Sequence, residues 1–267
     1  MSIHPSAIVD PQARLAEGVV IGPYCLIGPD VTIGAGTRLE SHCTVKWRVS
    51  LGLGSYLQPH VGIGGKPQDM SFQNTDTAVE IGDHNIFREG VTVNRGTEKE
   101  IGLTSVGSHC YFMTGCHIGH DCSIGDHVIM ANSCHLSGHV HVQHHATISG
   151  VVGVHHFCTV GSYSFVGGVS RVIQDVPPFM LAEGVPTRAR CINAVGLKRN
   201  HFSSEQMRSL SVAHKLLYRS KVGLDQSREL LRANGQLLPV VNHLLNFVES
   251  QQQGRNGRGR ERIRKAA

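Results

Sequence analysis

The chain has 267 residues, 40% apolar but only 5% aromatic, and a net charge of +5. A chain this long can bury a large core, and so few rings exclude a core filled by aromatics in favour of one filled by Val, Ile, Leu and Ala. The charge excess is local: residues 254–267 hold six Arg or Lys and one Glu, leaving 19 basic and 19 acidic residues elsewhere. That balance excludes a body built for nucleic acid. The N-terminus MSIHPSAIVD has no basic region followed by an apolar run, and no apolar stretch reaches spanning length. We therefore expect no signal peptide, no stable membrane insertion and a cytoplasmic location.

Every sixth residue from Ile3 is apolar: Ile3, Val9, Leu15, Ile21, Ile27, Ile33, Leu39, Val45, Leu51, Leu57 and Ile63. The phase resumes at Ile81, Phe87 and Val93, slips by one residue, and runs every six from Val106 to Val172. All 26 register positions are apolar, so the period belongs to stacked coils, each burying its apolar residues against the next. Gly often follows the apolar residue, as at Gly22, Gly28 and Gly34, and the fifth position of the hexad is small. Each hexad thus reads as a short strand and a corner. Three make one coil of 18 residues, and coils should stack at about 4.8 Å. Seven of the eight cysteines (Cys25, Cys43, Cys110, Cys116, Cys122, Cys134 and Cys158) occupy the small inward position. They read as buried small hydrophobes, not as disulfides or metal ligands.

The repeat predicts a β-helix over 1–176, with outward loops at 65–79 and 98–105 where the pattern breaks. Pro177 and Pro178 cannot continue a ladder, and 177–195 reads as a connecting segment. The period then turns helical over 196–251. Ser203 and Gln206 make a capping box, a second helix covers 225–233 before Asn234-Gly235, and a third starts near Pro239. Residues 252–267 read as a basic, disordered tail, a solvated extension in preference to a nucleic-acid or membrane contact.

Eleven of the 18 histidines lie between His109 and His156. His120, His139 and His155 fall in hexads that start 18 residues apart, so they belong to one face of three consecutive coils. His117 sits near the corner feeding that face, and Asp121 is placed to orient the His120 imidazole. His127, His141, His144 and His145 read as corner decoration.

The hexad pattern resembles the left-handed parallel β-helix of the hexapeptide-repeat acyltransferases, and the handedness comes from that resemblance alone. His117-Ile-Gly-His120-Asp121-Cys122, Leu136-Ser-Gly-His139-Val140, Val154-His155-His156-Phe157-Cys158, Gln174-Asp175-Val176-Pro177-Pro178 and Gly196-Leu197-Lys198-Arg199 are similar, in order and spacing, to the UDP-N-acetylglucosamine acyltransferases of lipid A biosynthesis. Pro67-Gln68-Asp69 and Asn94-Arg95-Gly96-Thr97 fit the same family. The resemblance implies a left-handed β-helix of hexapeptide repeats with a small C-terminal helical domain. It also implies transfer of a (R)-3-hydroxyacyl chain from acyl carrier protein to the 3-hydroxyl of UDP-N-acetylglucosamine by a homotrimer with sites between subunits.

Carried onto this chain, His120 is the general base, Asp121 holds its tautomer and the Gly138 amide stabilises the oxyanion. His117 and His139 contact the sugar, and Asp69 helps bind sugar or acyl group. His155, Asn193 and Arg199 bind the nucleotide side, with His156 beside them. Gly168 leaves room for a long acyl chain. No cofactor and no metal are implied. Lys198, Arg199, Arg208, Lys215, Arg219 and Lys221 could receive the acidic carrier protein. The chain departs from the family at His156 (often Gln), Asn94 (often His) and Ser71 (often Lys), which bears on the acyl chain and on a 3-hydroxyl against a 3-amino acceptor. The competing readings are another acyl- or acetyltransferase of the same repeat, a zinc carbonic-anhydrase-like β-helix, and a non-catalytic β-helix.

Overall fold

The computed structural model describes residues 1–255 and 257–261. Most hexads form a two-residue strand ending on the apolar register residue, as in His117–Ile118, Ser123–Ile124 and Ile129–Met130. Strands three hexads apart pair in parallel, Ile118 with Leu136 and Leu136 with Val154. Three parallel-stranded sheets of 11, 9 and 8 strands therefore wrap one prism, the largest ending in an antiparallel hairpin. Every register residue from Ile21 to Val172 is buried in a single core. Ile3, Val9 and Leu15 stay partly exposed because they lie in the terminal coil, which has a neighbour on one side only.

Two corner rules explain the composition. At Gly34 a Cβ would lie 2.5 Å from the Gly52 carbonyl carbon, so this position is glycine for close stacking of coils. A second corner position takes left-handed φ, and His42, His60, His84, His109, His127 and His145 occupy it at φ between 55° and 64°. Histidine tolerates that region better than most residues. Their rings stack along the edge, His109 on His127 at 5.0 Å and His127 on His145 at 4.6 Å. Much of the histidine richness is therefore a structural ladder. All seven inward cysteines are buried and unpaired. Burial pushes Cys110 and Cys116 up to about 11 and Cys122 and Cys158 to about 12, so these thiols stay neutral.

Both expected loops exist, but the first is shorter, because strands Gly62–Gly65 and Ala78–Ile81 reach into it, and the second begins and ends three residues earlier, between Thr92–Asn94 and Leu103–Val106. They occupy 66–77 and 95–102 and tie together. Lys99 bonds Asp69 and Ser71, Thr75 donates to Glu98 at 2.9 Å, and Arg95 donates to the Thr75 carbonyl at 2.8 Å. Arg95 also lies over Trp47 at 4.6 Å and Phe72 at 5.0 Å.

The segment 177–195 is not a plain connector. Met180–Glu183 adds to the largest sheet beside Phe165–Val166, and Arg188–Ile192 returns antiparallel to it. The two prolines end the ladder, but Phe179, Met180 and Ala182 keep burying apolar surface and so extend the prism. Helices α1 (Ala194–Arg199), α2 (Ser204–His214), α3 (Leu224–Ala233) and α4 (Pro239–Gln252) follow. Ser203 and Gln206 form the capping box, and Pro239 opens α4. Leu197, Leu210, Leu231, Val241, Leu244 and Leu245 build a second core on Phe179 and Met180. No helix among the described residues is long and apolar enough to cross a membrane.

The tail departs from the expectation of disorder. Residues 257–261 lie against the prism corner and begin a helical turn; Asn256 and 262–267 fall outside the described residues. A Cβ at Gly257 would meet the Asp175 carboxylate at 1.8 Å, so glycine lets the chain close over that group. Burial pushes the Asp175 carboxyl up to about 6, although it accepts from the Thr159 amide at 2.8 Å. The fold therefore prefers the protonated acid. This contribution to stability is full below the ordinary carboxylate range and is lost as pH rises through about 6. Asp175→Asn removes that loss and is expected to raise the melting temperature more at about pH 8 than at about pH 4. Equal changes at both pH values in a thermal-unfolding series would contradict it.

Candidate active site

A cleft of about 530 Å³ opens on the nine-stranded sheet, lined among others by Gln68, Thr92, Asn94, His117, His120, His135 and Gly138. His120 follows strand His117–Ile118, and Gly138 holds the equivalent place one coil on, 18 residues later. The His120 ring fills the space a side chain at 138 would need: a Cβ there would come within 2.5 Å of Nε2.

His120 Nδ1 lies 2.8 Å from Asp121 Oδ2. An ionised carboxylate only accepts, so Nδ1 carries the proton and Nε2 is left as the basic nitrogen. Asp121 is 3% exposed. It accepts from the Thr97 amide at 2.8 Å and the Thr97 hydroxyl at 2.6 Å, while its own amide donates to Thr104 Oγ1 at 2.8 Å. Burial alone would raise its carboxyl, but the bonds from His120 and Thr97 outweigh it and hold the group below the ordinary range. Asp121 is thus a fixed anion beneath the imidazole.

The Gly138 N–H donates to no protein acceptor among the described residues, and the equivalent corner amides of Ser41, His120 and His156 do not either. Such amides recur at the corners, and at 138 the coil below places the His120 imidazole beside one of them. His117 Nδ1 meets Thr92 Oγ1 at 2.8 Å, and burial, then His135 and His120, lower its basicity. Asn94 is buried, and its side-chain oxygen makes no hydrogen bond among the described residues. A donor on a bound molecule would satisfy it.

The structure brings some of the expected residues together and separates others. His117, His120 and Gly138 line the cleft. His139 is 5% exposed and does not line it. Its ring stacks on Phe157 at 4.4 Å and stands edge-on to His120 at 4.9 Å, with Glu100 Oε1 3.1 Å from Nδ1. Asp69 is held by Lys99, whose ammonium keeps the carboxyl well below its usual range. His155 and His156 follow on the next coil, their rings 3.8 Å apart. Burial lowers the basicity of His156. Asn193 caps α1, accepting from the Gly196 amide at 3.1 Å and donating to the Tyr163 carbonyl at 2.9 Å. With Arg199 it lines a different cavity, of about 790 Å³, on the eleven-stranded sheet among Tyr111, Ile129, Phe165 and the histidine ladder. Gly168 is exposed at a corner, where a Cβ would meet nothing nearer than 3.5 Å.

One trio among the described residues has the spacing to hold a metal ion: His120, Asp121 and His139, with ligand atoms within 4.8 Å of one another. Both Asp121 oxygens are already committed to Thr97 and His120, which suits an orienting anion better than a ligand.

Comparison with known proteins supplies the family. Residues 1–35, 12–46 and 104–138 match the bacterial transferase hexapeptide family, and 175–257 match the family described as UDP N-acetylglucosamine O-acyltransferase, domain 2. The acyl-[acyl-carrier-protein]–UDP-N-acetylglucosamine O-acyltransferase of Syntrophobacter fumaroxidans is 44% identical over 255 residues, 95% of this chain and 99% of that protein. The chain belongs to this acyltransferase family. The Paraburkholderia phymatum relative is 44% identical over 94% of this chain and 98% of its own length. The UDP-N-acetylglucosamine acyltransferase structures from Bacteroides fragilis and Francisella novicida superpose with TM-scores of 0.91 and 0.87, at 32% and 37% identity. They cover 96% and 91% of this chain, and 98% and 90% of their own. The fold is accordingly the left-handed parallel β-helix of this family, and the protein is an acyltransferase.

Within that family frame, the residues that sequence reasoning missed are those that serve His120 indirectly. Thr97 and Thr104 fix Asp121, Thr92 fixes His117, Lys99 holds Asp69, and His135 adds to the cleft wall. Thr97 closes the Asn94–Thr97 motif and Thr92 falls two residues before it, but a hydroxyl gives no periodic signal.

Proposed function

We propose that the protein transfers a (R)-3-hydroxyacyl chain from acyl carrier protein to the 3-hydroxyl of UDP-N-acetylglucosamine, the opening step of lipid A biosynthesis. The observation that carries this reading is the His120 imidazole, set in the cleft with Nδ1 fixed by Asp121 and Nε2 without a hydrogen bond among the described residues. Nε2 takes the proton of the sugar hydroxyl as that oxygen attacks the thioester carbonyl. The oxyanion receives the Gly138 N–H. Collapse of the intermediate expels the carrier thiol, which takes the proton back from His120. His117 and Asn94 face the sugar or acyl group, and Asp69 orders the loop above them. His139 supports His120 from behind in this geometry. A sugar contact by His139, which the resemblance implies, would need the ring uncovered.

The same reading makes the protein a homotrimer. His120 and Arg199 belong to cavities on different sheets of one protomer, so a complete site needs the Arg199 face, with Asn193, from a neighbouring copy. His155 and His156 lie along the His120 sheet toward that junction. Arg suits a diphosphate through its two-pronged fork. Gly168, open within its own protomer, limits the acyl chain only against a partner. Lys198, Arg208, Lys215, Arg219 and Lys221 give the carrier protein a basic approach.

Purified protein with UDP-N-acetylglucosamine and a panel of 3-hydroxyacyl carrier proteins tests the reading. Ester product is expected with one preferred chain length. No product with any chain, or product only with the 3-amino sugar nucleotide, would overturn the stated acceptor. Arg199→Ala is expected to raise KM for the UDP-sugar about tenfold or more with kcat little changed. Mixed trimers of Arg199→Ala and His120→Ala chains should regain activity, because some junctions then combine two intact halves. A loss confined to kcat, or mixtures as inactive as their parents, would remove Arg199 from this role.

A further inference from the structure

Beyond residue 257, where the match to the family ends, the tail places one side chain behind the catalytic column. Arg260 Nη2 donates to the His139 carbonyl at 2.6 Å and to the Phe157 carbonyl at 3.0 Å. Its Nη1 lies 2.7 Å from His141 Nε2, and its guanidinium carbon lies 5.7 Å from the Phe157 ring centre. His139 and Phe157 occupy equivalent left-handed corners of consecutive coils, at φ 63° and 65°. Neither carbonyl accepts a backbone amide among the described residues. Asp121 and Asp175 are the equivalent residues of the coils on either side, so the guanidinium lies along the column Asp121, His139, Phe157, Asp175.

We propose that Arg260 is a positioning residue for acyl transfer, clamping the backbones of His139 and Phe157 so that their stacked rings hold a rigid wall against His120. The inference rests on the reading of His120 as the base. The wall is tight: the Phe157 and His139 rings are parallel to within 1°, and His139 meets His120 edge-on at 90°. Nη2 bonds both carbonyls while Nη1 of the same rigid planar group meets His141 Nε2, so the guanidinium is held in one orientation across the two coils, which a point charge on a flexible stem would not be. The segment is anchored on both sides of Arg260. The Gly257 amide donates to Thr159 Oγ1 at 3.2 Å, and Glu261 lies 3.6 Å from His156 Nε2. The positive charge also faces Glu100 and Asp175, two partly buried carboxylates of this corner.

Four full-length or nearly full-length proteins test it: Arg260→Ala, Arg260→Lys, Arg255→Ala and a chain ending at Arg255. Arg255 is exposed and shares the tail's charge but not its contact. Arg260→Ala and the truncation are expected to lower kcat about 10- to 100-fold, the scale of a small misplacement at a reacting centre. KM for the UDP-sugar should stay within about twofold. Arg260→Lys should recover part of the loss, and Arg255→Ala should match wild type. A readout independent of activity is the rate of diethylpyrocarbonate labelling at His141, followed by peptide mass spectrometry. It is expected to be slow in wild type and fast in Arg260→Ala. Unchanged kcat, a higher kcat on truncation, an effect on KM alone, or equally fast labelling of His141 in wild type would each overturn the proposal. Wild-type protein without acyl-transfer activity would instead refute the function, while the labelling rates would still report whether Arg260 is docked.

Discussion

Replacing His120 by alanine is expected to lower kcat about 10²–10⁴-fold, the usual scale for loss of a general base. The physical reason is local. Among the described residues no other group lining the cleft combines a free ring nitrogen with a buried anion on its far side: His117 Nδ1 is held by a neutral threonine, and His139 stays outside the lining. The side chain contributes little to the core, since His120 lies at a corner outside the buried register, so melting temperature and assembly should change little. Steady-state kinetics with 3-hydroxyacyl carrier protein, alongside thermal unfolding, checks both halves. Near-normal turnover in this variant would end the assignment of His120 as base.

Gly138→Ala is expected to cost about 10²-fold or more in kcat, although it adds one methyl group and removes no polar atom. A Cβ at 138 would stand 2.4 Å from His120 Cε1 and 2.5 Å from Nε2. The imidazole must then leave its place, and its bond to Asp121 with it. Gly138 has no left-handed backbone to lose, so the fold should tolerate the change. The signature is a large kinetic defect with a small shift in melting temperature. A variant with normal kcat would mean that His120 reacts from a different rotamer. A variant that fails to fold would mean that the coil, not the ring, needs the glycine, and the circular dichroism spectrum distinguishes the two.

The histidines illustrate how far the residues alone reach. The hexad count correctly put His120, His139 and His155 on one sheet, because parallel pairing at 18 residues preserves phase. It could not tell which rings share a column. One residue of offset decides that: His120 stacks with Gly138 and His156, whereas His139 stacks with Asp121 and Phe157. It read His127 and His145 as corner decoration, and both stand with His109 at left-handed corners, but the hexad held no sign that left-handed φ is what favours histidine there. The same limit applies to the tail. Its glycines and arginines have the composition of disorder, yet Gly257 and Arg260 find a partly buried carboxylate and two open carbonyls that only the wound coil presents.

The sequence by itself determined the architecture, because a β-helix is a local code: each hexad needs only its own apolar residue, small residue and corner, and each coil contacts only its neighbours. It determined the helix starts for the same reason, since the capping box at Ser203 and the proline at 239 act within one turn. The tertiary structure decided what depends on residues far apart in the chain. Thr97 reaches Asp121 across 24 residues, Lys99 reaches Asp69 across 30, and Arg260 reaches the His139 carbonyl across 121. Those contacts fix the Asp121 carboxylate, the loop at Asp69 and the corner at His139 around the cleft, and no period in the chain encodes them, because each is made once.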